Sequence, residues 1–439
     1  MKLSKNAIEA DATGEDAVAK TEEELLLPLP KWKIWYIMLV VYVLLFFDFA
    51  TRTVVGPLFP LIKKEFDLSD AQLGLLNTVV LIMVALTAMP LSYAIDRWRR
   101  GKMLSLIAII WSGASLFCGL AANFGMLLAG RSVLGIAEAS YNSGAQTMIM
   151  ATIKKRLRAT VTGFLYTGMT IGTAGGIALG GLLGAAYGWR ATLIMLAVPG
   201  IIFGILAWFM PDYKNIPRNN TGQVRDIGAT LKSFFKNKSV VLMVIGYALV
   251  NFLVYTVVSW LPTYLIRFAG MNIATAGSMT GLVMIASLVA MPIGGWLGDR
   301  AARKSARTKI IVILSAVILF VVSGALALLF NFWPLFMLGT VGYGLIVPAQ
   351  QVSLQELVPA HQRASVFGFY FAGVFILGGL WSPYVIGAIS DAIDLKTAFW
   401  AATGIAAIAI ILYPFVYKFF ANDYSRARQL ERETAAKIA

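Results

Sequence analysis

The chain has 439 residues, 59% hydrophobic and 13% charged, with a net charge of +15 and a mean hydropathy of +0.75. A soluble domain, which carries about 25% charged residues, is excluded. One cysteine and one histidine exclude an intramolecular disulfide, a Cys/His metal cluster and a histidine-dependent triad, so neither a cofactor nor an enzymatic activity is expected.

Residues 1–30 contain TEEELLLPLP and scattered acids, without the basic start and apolar core of a signal peptide, and read as a disordered cytoplasmic tail. Twelve apolar runs follow, near 33–57, 71–96, 103–122, 125–150, 159–185, 190–210, 239–266, 274–298, 309–330, 333–356, 364–389 and 397–420. Each can cross about 30 Å of hydrocarbon as a helix. Being apolar on every face, they are helices and not the alternating strands of a barrel. We number them as spans 1 to 12. The expected fold is an all-α membrane protein with twelve transmembrane helices in two pseudo-symmetric six-helix bundles, 31–210 and 239–420, joined by a cytoplasmic linker, 211–238, and ending in a cytoplasmic tail, 421–439.

The cations follow alternate spans. Arg97, Arg99, Arg100 and Lys102 follow span 2; Lys154, Lys155, Arg156 and Arg158 follow span 4; Lys232, Lys236 and Lys238 lie in the linker, and Arg300, Arg303 and Lys304 follow span 8. The positive-inside rule then places both termini in the cytoplasm. The basic charge is topological, and no nucleic-acid partner is expected. Cys118, in apolar span 3, reads as a small core residue, His361 sits at the entrance to span 11, and NNTG at 219–222 is a chance glycosylation match on the cytoplasmic side.

The halves repeat. RATVTGF at 158–164 and RASVFGF at 363–369 each open the fifth helix of their half, and AMPLSYAIDR at 88–97 matches AMPIGGWLGDR at 290–300. Span 5 places Gly168, Gly172, Gly176 and Gly180 on one face, a surface expected to pack closely against a helix of the opposite half, and Pro383 with Gly387 predicts a bend in span 11. With the turn GGWLGDRAARKSAR after span 8 and its partner SYAIDRWRRGK after span 2, the chain resembles the major facilitator superfamily over nearly the whole membrane region. The resemblance implies that Asp96 and Asp299, beside Arg97 and Arg300, gate the cytoplasmic side. A carboxylate near a helix N-terminus meets its positive end there.

Four ionisable residues lie deep inside the spans: Asp48 and Arg52 in span 1, Arg131 and Glu138 in span 4. Each costs roughly 2.5 kcal/mol or more in hydrocarbon, so all must face inward. Asp48 and Arg52 share a helix face, as do Arg131 and Glu138, with the acids near the midplane and the guanidinium groups in the outer third. The equivalent C-terminal positions are neutral: Asn251, Tyr255 and Ser259 in span 7, Gln350, Gln351 and Ser353 in span 10. A pure packing device would recur in both halves, so a functional role is favoured over a structural ion-pair network. Glu138, together with Asp48, is the expected proton carrier, and Arg52 and Arg131, with Asn251, Tyr255 and Gln350 opposite, the expected binding site for an anionic substrate.

GIAEASY at 135–141, LSDAQLGLL at 68–76 and SPYVIGAISD at 382–391 are similar to the spinster-type branch of that superfamily; the Arg131, Gly135, Glu138 spacing is shared with its anion:cation symporters. Both branches imply an Asp-Arg pair in span 1. Here Thr51 holds the aspartate position, and Asp48, one turn earlier, is the acid available to replace it. The sequence therefore implies a monomeric secondary transporter, proton-coupled and working by alternating access, for a small anionic organic solute or a lysolipid. It would sit in a lipid bilayer, a bacterial inner membrane. A passive uniporter of a polar solute and a non-transporting receptor or scaffold on the same fold remain open.

Overall fold

The structure, a computed structural model, describes residues 29–97, 99–211, 227–359 and 362–436. The expected N-terminal tail to residue 28, most of the linker with its NNTG, and His361 lie outside the described residues. Every regular element among the described residues is a helix. Ten helices are long and apolar enough to cross a membrane. One of them, Thr160–Trp208, has 49 residues. That is about 70 Å of helix, enough for two crossings. It divides into spans 5 and 6 at Gly188, whose φ of 79° and ψ of 169° only glycine adopts without strain. Span 4 supplies the remaining crossing as two shorter helices, Phe124–Glu138 and Tyr141–Thr152, which brings the crossings to twelve.

Three spans are interrupted, each where a neighbour engages the chain. Span 1 runs as Lys31–Thr53 and Val55–Phe66. Pro57 has no N–H for the Thr53 carbonyl, so the ladder lacks a bond at the interruption, while Pro60 is accommodated inside the outer helix. In span 4 the break at Ala139 and Ser140 lies between two tethered side chains: Glu138 bonds Arg52 of span 1, and the Ser140 hydroxyl donates to the Ala88 carbonyl of span 2 at 2.9 Å. Span 11 consists of Arg363–Val374, a π-helical turn Phe375–Gly379 and Ser382–Ala392. Its break at Leu380 and Trp381 precedes the expected bend, because Pro383 occupies the first turn of the outer helix, where a missing N–H costs nothing. Gly387 makes a close approach to the Asp70 backbone.

The other spans are Asp70–Arg97, Arg100–Gly119, Lys238–Ala269, Ile273–Ala302, Thr308–Phe330, Pro334–Glu356 and Leu395–Ala436. Asn123, Asn237 and Asn272 cap helix N-termini by accepting from the backbone three residues on. The last helix continues to Ala436, through most of the expected tail, because Asp423 accepts from Ser239 N and Oγ at 3.0 and 2.6 Å and fastens it to span 7. Within the linker, the helix Ile227–Lys236 docks on span 11, with the Phe234 and Phe235 rings 5.6 and 5.1 Å from Phe369.

The glycine face of span 5 packs differently from the expectation. Gly168, Gly172, Gly176 and Gly180 meet Tyr42, Phe46, Ala50 and Val54 of span 1, in the same half. The opposite half is met by the adjoining face, where Gly181 lies against Gly277 and Ala174 against Gly281 of span 8. Span 5 is wedged between two helices and needs small residues toward both. The apolar core shows the same division. One cluster belongs to the N-terminal half alone; the other runs across both halves only on the side away from the termini, joining Phe59 to Trp260. We call that side outer and the side of the termini inner.

A Cβ at position 176 would lie 2.5 Å from the Ala50 carbonyl oxygen, whereas one at Gly113 meets nothing within 4 Å. Gly176→Ala is expected to destabilise the protein by about 1–3 kcal/mol through overpacking, and Gly113→Ala to leave it unchanged or slightly stabler, as thermal unfolding in detergent would show.

Candidate functional site

The four intramembrane charges converge. Arg52 Nε donates to Glu138 Oε2 at 2.9 Å, and Arg52 Nη2 lies 3.7 Å from Asp48 Oδ1 on the preceding turn. The Thr51 hydroxyl donates toward Glu138 Oε1 at 3.2 Å, so the residue at the aspartate position serves as a neutral partner for the span 4 acid. Asp48 Oδ1 is fully buried and accepts no hydrogen bond. Arg52 is the charge among the four that reaches open space: its side chain is 17% exposed, against 2% for Asp48 and 0% for Glu138.

Arg131 is placed otherwise. It is 1% exposed, and four of its five N–H donors are engaged within the protein. Nε donates to the Leu76 carbonyl at 3.1 Å, Nη1 to that of Thr51 at 3.0 Å, and Nη2 to that of Arg52 at 3.0 Å and to Asn77 Oδ1 at 2.9 Å. The Thr51 and Arg52 carbonyls belong to the last turn of the helix Lys31–Thr53, just before the break. These carbonyls, with that of Leu76 and the Asn77 amide, solvate a guanidinium that has no carboxylate within salt-bridge distance among the described residues.

Opposite Arg52 stands Tyr255. Both line a cavity of 30 Å³, with Arg131, Asn77 and Ser259, and it has room for one or two waters. The repeat explains the pairing. DFATRTVV at 48–55 aligns with NFLVYTVV at 251–258, so Asn251 holds the place of Asp48 and Tyr255 that of Arg52. The other expected C-terminal residues lie elsewhere. Asn251 Nδ2 donates to the Tyr247 carbonyl at 2.9 Å, while Gln350, fully buried, donates to the Met243 carbonyl at 3.0 Å and accepts from Tyr413 at 3.1 Å. Neither lines the cavity with the arginines.

On the outer side the halves are sealed by two aspartates. Asp70, buried at the start of span 2, accepts from Arg267 Nη1 and Nη2 at 2.6 and 2.7 Å and from the Ser390 hydroxyl at 2.5 Å, all in the C-terminal half. Its own half adds Lys63 Nζ at 2.5 Å. Asp391 returns the contact, accepting from the N–H groups of Asp70 and Ala71 at 2.7 Å each and so capping span 2 across the interface. The sequence reading missed this seal and Asn77. The signal lay in LSDAQLGLL and SPYVIGAISD, whose aspartates and serine are the parts that touch.

Of the expected inner gate, the structure describes the side chains on span 8. Asp299 and Arg300 are exposed at the end of span 8, where Arg300 lies 5.6 Å over the Trp296 ring and Asp299 has no ion pair among the described residues. Asp96 and Arg97 end the span 2 helix, with side chains outside the described residues. Phe59 with Trp260, Gly181 with Gly277 and the Asp70 seal join the halves outward of the charge cluster.

Removing Arg131 strands the carbonyls of Leu76, Thr51 and Arg52, at about 1–3 kcal/mol for each unsatisfied group. Arg131→Ala is therefore expected to yield no monodisperse protein on size exclusion. Arg52→Ala is expected to fold, because Glu138 can take up a proton in place of the lost ion pair.

The Major Facilitator Superfamily model matches residues 41–383. Protein spinster of Drosophila melanogaster is 23% identical over 384 residues, covering 82% of this chain and 62% of its own length. The chain thus spans less than two thirds of that relative. The hexuronate transporter of Bacillus subtilis is 23% identical over 382 residues, 82% of this chain and 89% of its own. Among solved structures, a bacterial homolog to the human lysosomal transporter Spinster, in an inward-facing and unoccupied conformation, superposes with a TM-score of 0.79 at 21% identity, covering 90% of this chain and 99% of that one. With a family match running from the middle of span 1 into span 11 and the same fold, this chain belongs to the Major Facilitator Superfamily.

Proposed function

We propose that the protein is a proton-coupled secondary transporter of an anionic organic solute, working by alternating access as a monomer in a bacterial inner membrane with both termini in the cytoplasm. The observation that carries this reading is one guanidinium, Arg52, shared between two buried carboxylates and open to a cavity. The basic inner loops support the orientation.

Charge balance supplies the mechanism. Arg131 spends its donors on carbonyls and on Asn77, so Arg52 is the guanidinium that forms ion pairs with these acids, and it hydrogen-bonds one of them. Glu138 holds it at 2.9 Å, and Asp48, with one oxygen buried and unbonded, is the acid that carries the proton in this conformation. Glu138, the first candidate from sequence, acts as the counter-ion that a substrate must displace. An anion on the Nη groups of Arg52 releases Glu138, and a released carboxylate in this interior is kept only by taking a proton, since an unpaired buried charge costs several kcal/mol. Solute and proton then enter together. Tyr255, at the position equivalent to Arg52, presents a neutral wall to the body of the solute. Arg131 holds the break in span 1 and so positions Arg52. A hexuronate is a carboxylate, and the relative named for it supports an acid of that kind.

The test is a stabilisation screen of organic acids, sugar phosphates and lysolipids, followed by flux into proteoliposomes. Arg52→Ala is expected to weaken any anionic hit by about 10–100-fold, the loss of one charge-assisted hydrogen bond of about 1.5–3 kcal/mol. Asp48→Asn and Glu138→Gln are each expected to retain solute exchange and to lose accumulation driven by a pH step. Accumulation by both variants equal to that of the parent would overturn proton coupling at these acids.

A further inference from the structure

One face of span 2 carries the outer interface from its tip to the cavity. Asp70 makes the seal, Gly74 meets the backbone at Pro383, Thr78 Oγ1 accepts from Tyr384 N at 3.2 Å, and Asn77 lies beside Thr78 at the cavity. The spacing, four residues and then three or four, is that of one helical stripe. Asn77 stands apart on this stripe because it touches both the opposite half and the charge cluster. Its Oδ1 accepts from Arg131 Nη2 at 2.9 Å, and its Nδ2 donates to Ser259 Oγ of span 7 at 3.2 Å. A guanidinium has no acceptor, so the amide can be oriented in no other way. Asn77 is 9% exposed and Ser259 3%, so both bonds are shielded from bulk solvent.

We infer that Asn77 is the positioning residue through which the state of the Asp48, Arg52 and Glu138 cluster reaches the outer seal. Arg131 grips the Thr51 and Arg52 carbonyls where span 1 is broken, so any shift of that break that follows a change at Arg52 moves the guanidinium. Asn77 is bonded to the guanidinium and, through Ser259, to the half that must swing away when the outer side opens. The Asp70 seal at the tip has no bond to the cluster among the described residues. It sets how firmly the outer side is shut, while Asn77 sets whether the shutting depends on what the cluster holds. The inference rests on alternating access, and its test reads a distance, so its failure would leave the flux experiments standing.

Coupling between two sites is measured by a double-mutant cycle. Cys118 is buried, so spin labels at Lys64→Cys and Ala392→Cys, both exposed and on opposite halves of the outer face, report opening in nanodiscs. In the parent, Glu138→Gln is expected to change the open-to-closed ratio by about 2–30-fold. In Asn77→Leu, and in Ser259→Ala, which leaves the Arg131 bond intact, the same substitution is expected to leave the ratio unchanged. Arg52→Lys serves as the second perturbation of the cluster. A Glu138→Gln effect of equal size with and without the Asn77–Ser259 bond would overturn the inference. So would the absence of any effect of both cluster variants in the parent.

Discussion

A buried guanidinium must find acceptors for its donors inside the protein, and at Arg131 that requirement organises the N-terminal half. No carboxylate lies within salt-bridge distance of it among the described residues; carbonyls of spans 1 and 2 and the Asn77 amide solvate it. The arrangement holds only if span 1 stops at Thr53, span 2 brings Leu76 alongside, and span 4 stands between them. Three helices are fixed by one side chain, and Arg52 and Asp48 are aimed as a consequence. Because four of its donors are spent in this way, Arg131 is suited to hold Arg52 in place.

The asymmetry between the halves follows from the same economy of charge. An Asp48, Arg52 and Glu138 cluster can be kept near neutral by one proton, or by two when an anion is bound, whereas a second such cluster across the cavity would double the cost of burial. The repeat keeps the geometry and changes the chemistry: Asn251 and Tyr255 stand where Asp48 and Arg52 stand, with no ionisable group to be neutralised at neutral pH. Gln350 and Asn251 are used within the C-terminal bundle, bonded to backbone carbonyls. Tyr255 remains as the C-terminal residue facing Arg52 across the cavity.

Close backbone approach and charge-assisted bonds divide the outer interface between them. Glycines bring spans 5 and 8 together at Gly181 and Gly277 and spans 2 and 11 together at Gly74. Dispersion contacts of this kind are individually weak and set fit more than strength. The reciprocal aspartates, Asp70 and Asp391, supply directional, charge-assisted bonds at the rim, centred on the buried Asp70 carboxylate.

Hydropathy determined the twelve crossings, because a bilayer imposes one length and one polarity on every helix that spans it. Charge placement determined which loops share a face, and helical spacing put Asp48 with Arg52 and Arg131 with Glu138. The tertiary structure decided what these charges meet. That Glu138 pairs with Arg52 was open to sequence reading as a question of level and side; that Arg131 is held mostly by carbonyls was not, since three of its partners are backbone atoms of spans 1 and 2 that packing brings alongside. The glycine stripe of span 5 was legible as a close contact, but its partner was not, because span 5 offers small residues on two faces and sequence periodicity does not say which face meets which helix. Asp70, Ser390 and Asp391 stood in plain view as parts of two motifs some 320 residues apart. Only the fold brings them within hydrogen-bond distance, since periodicity reports what shares a helix and long-range proximity depends on how helices are arranged in space.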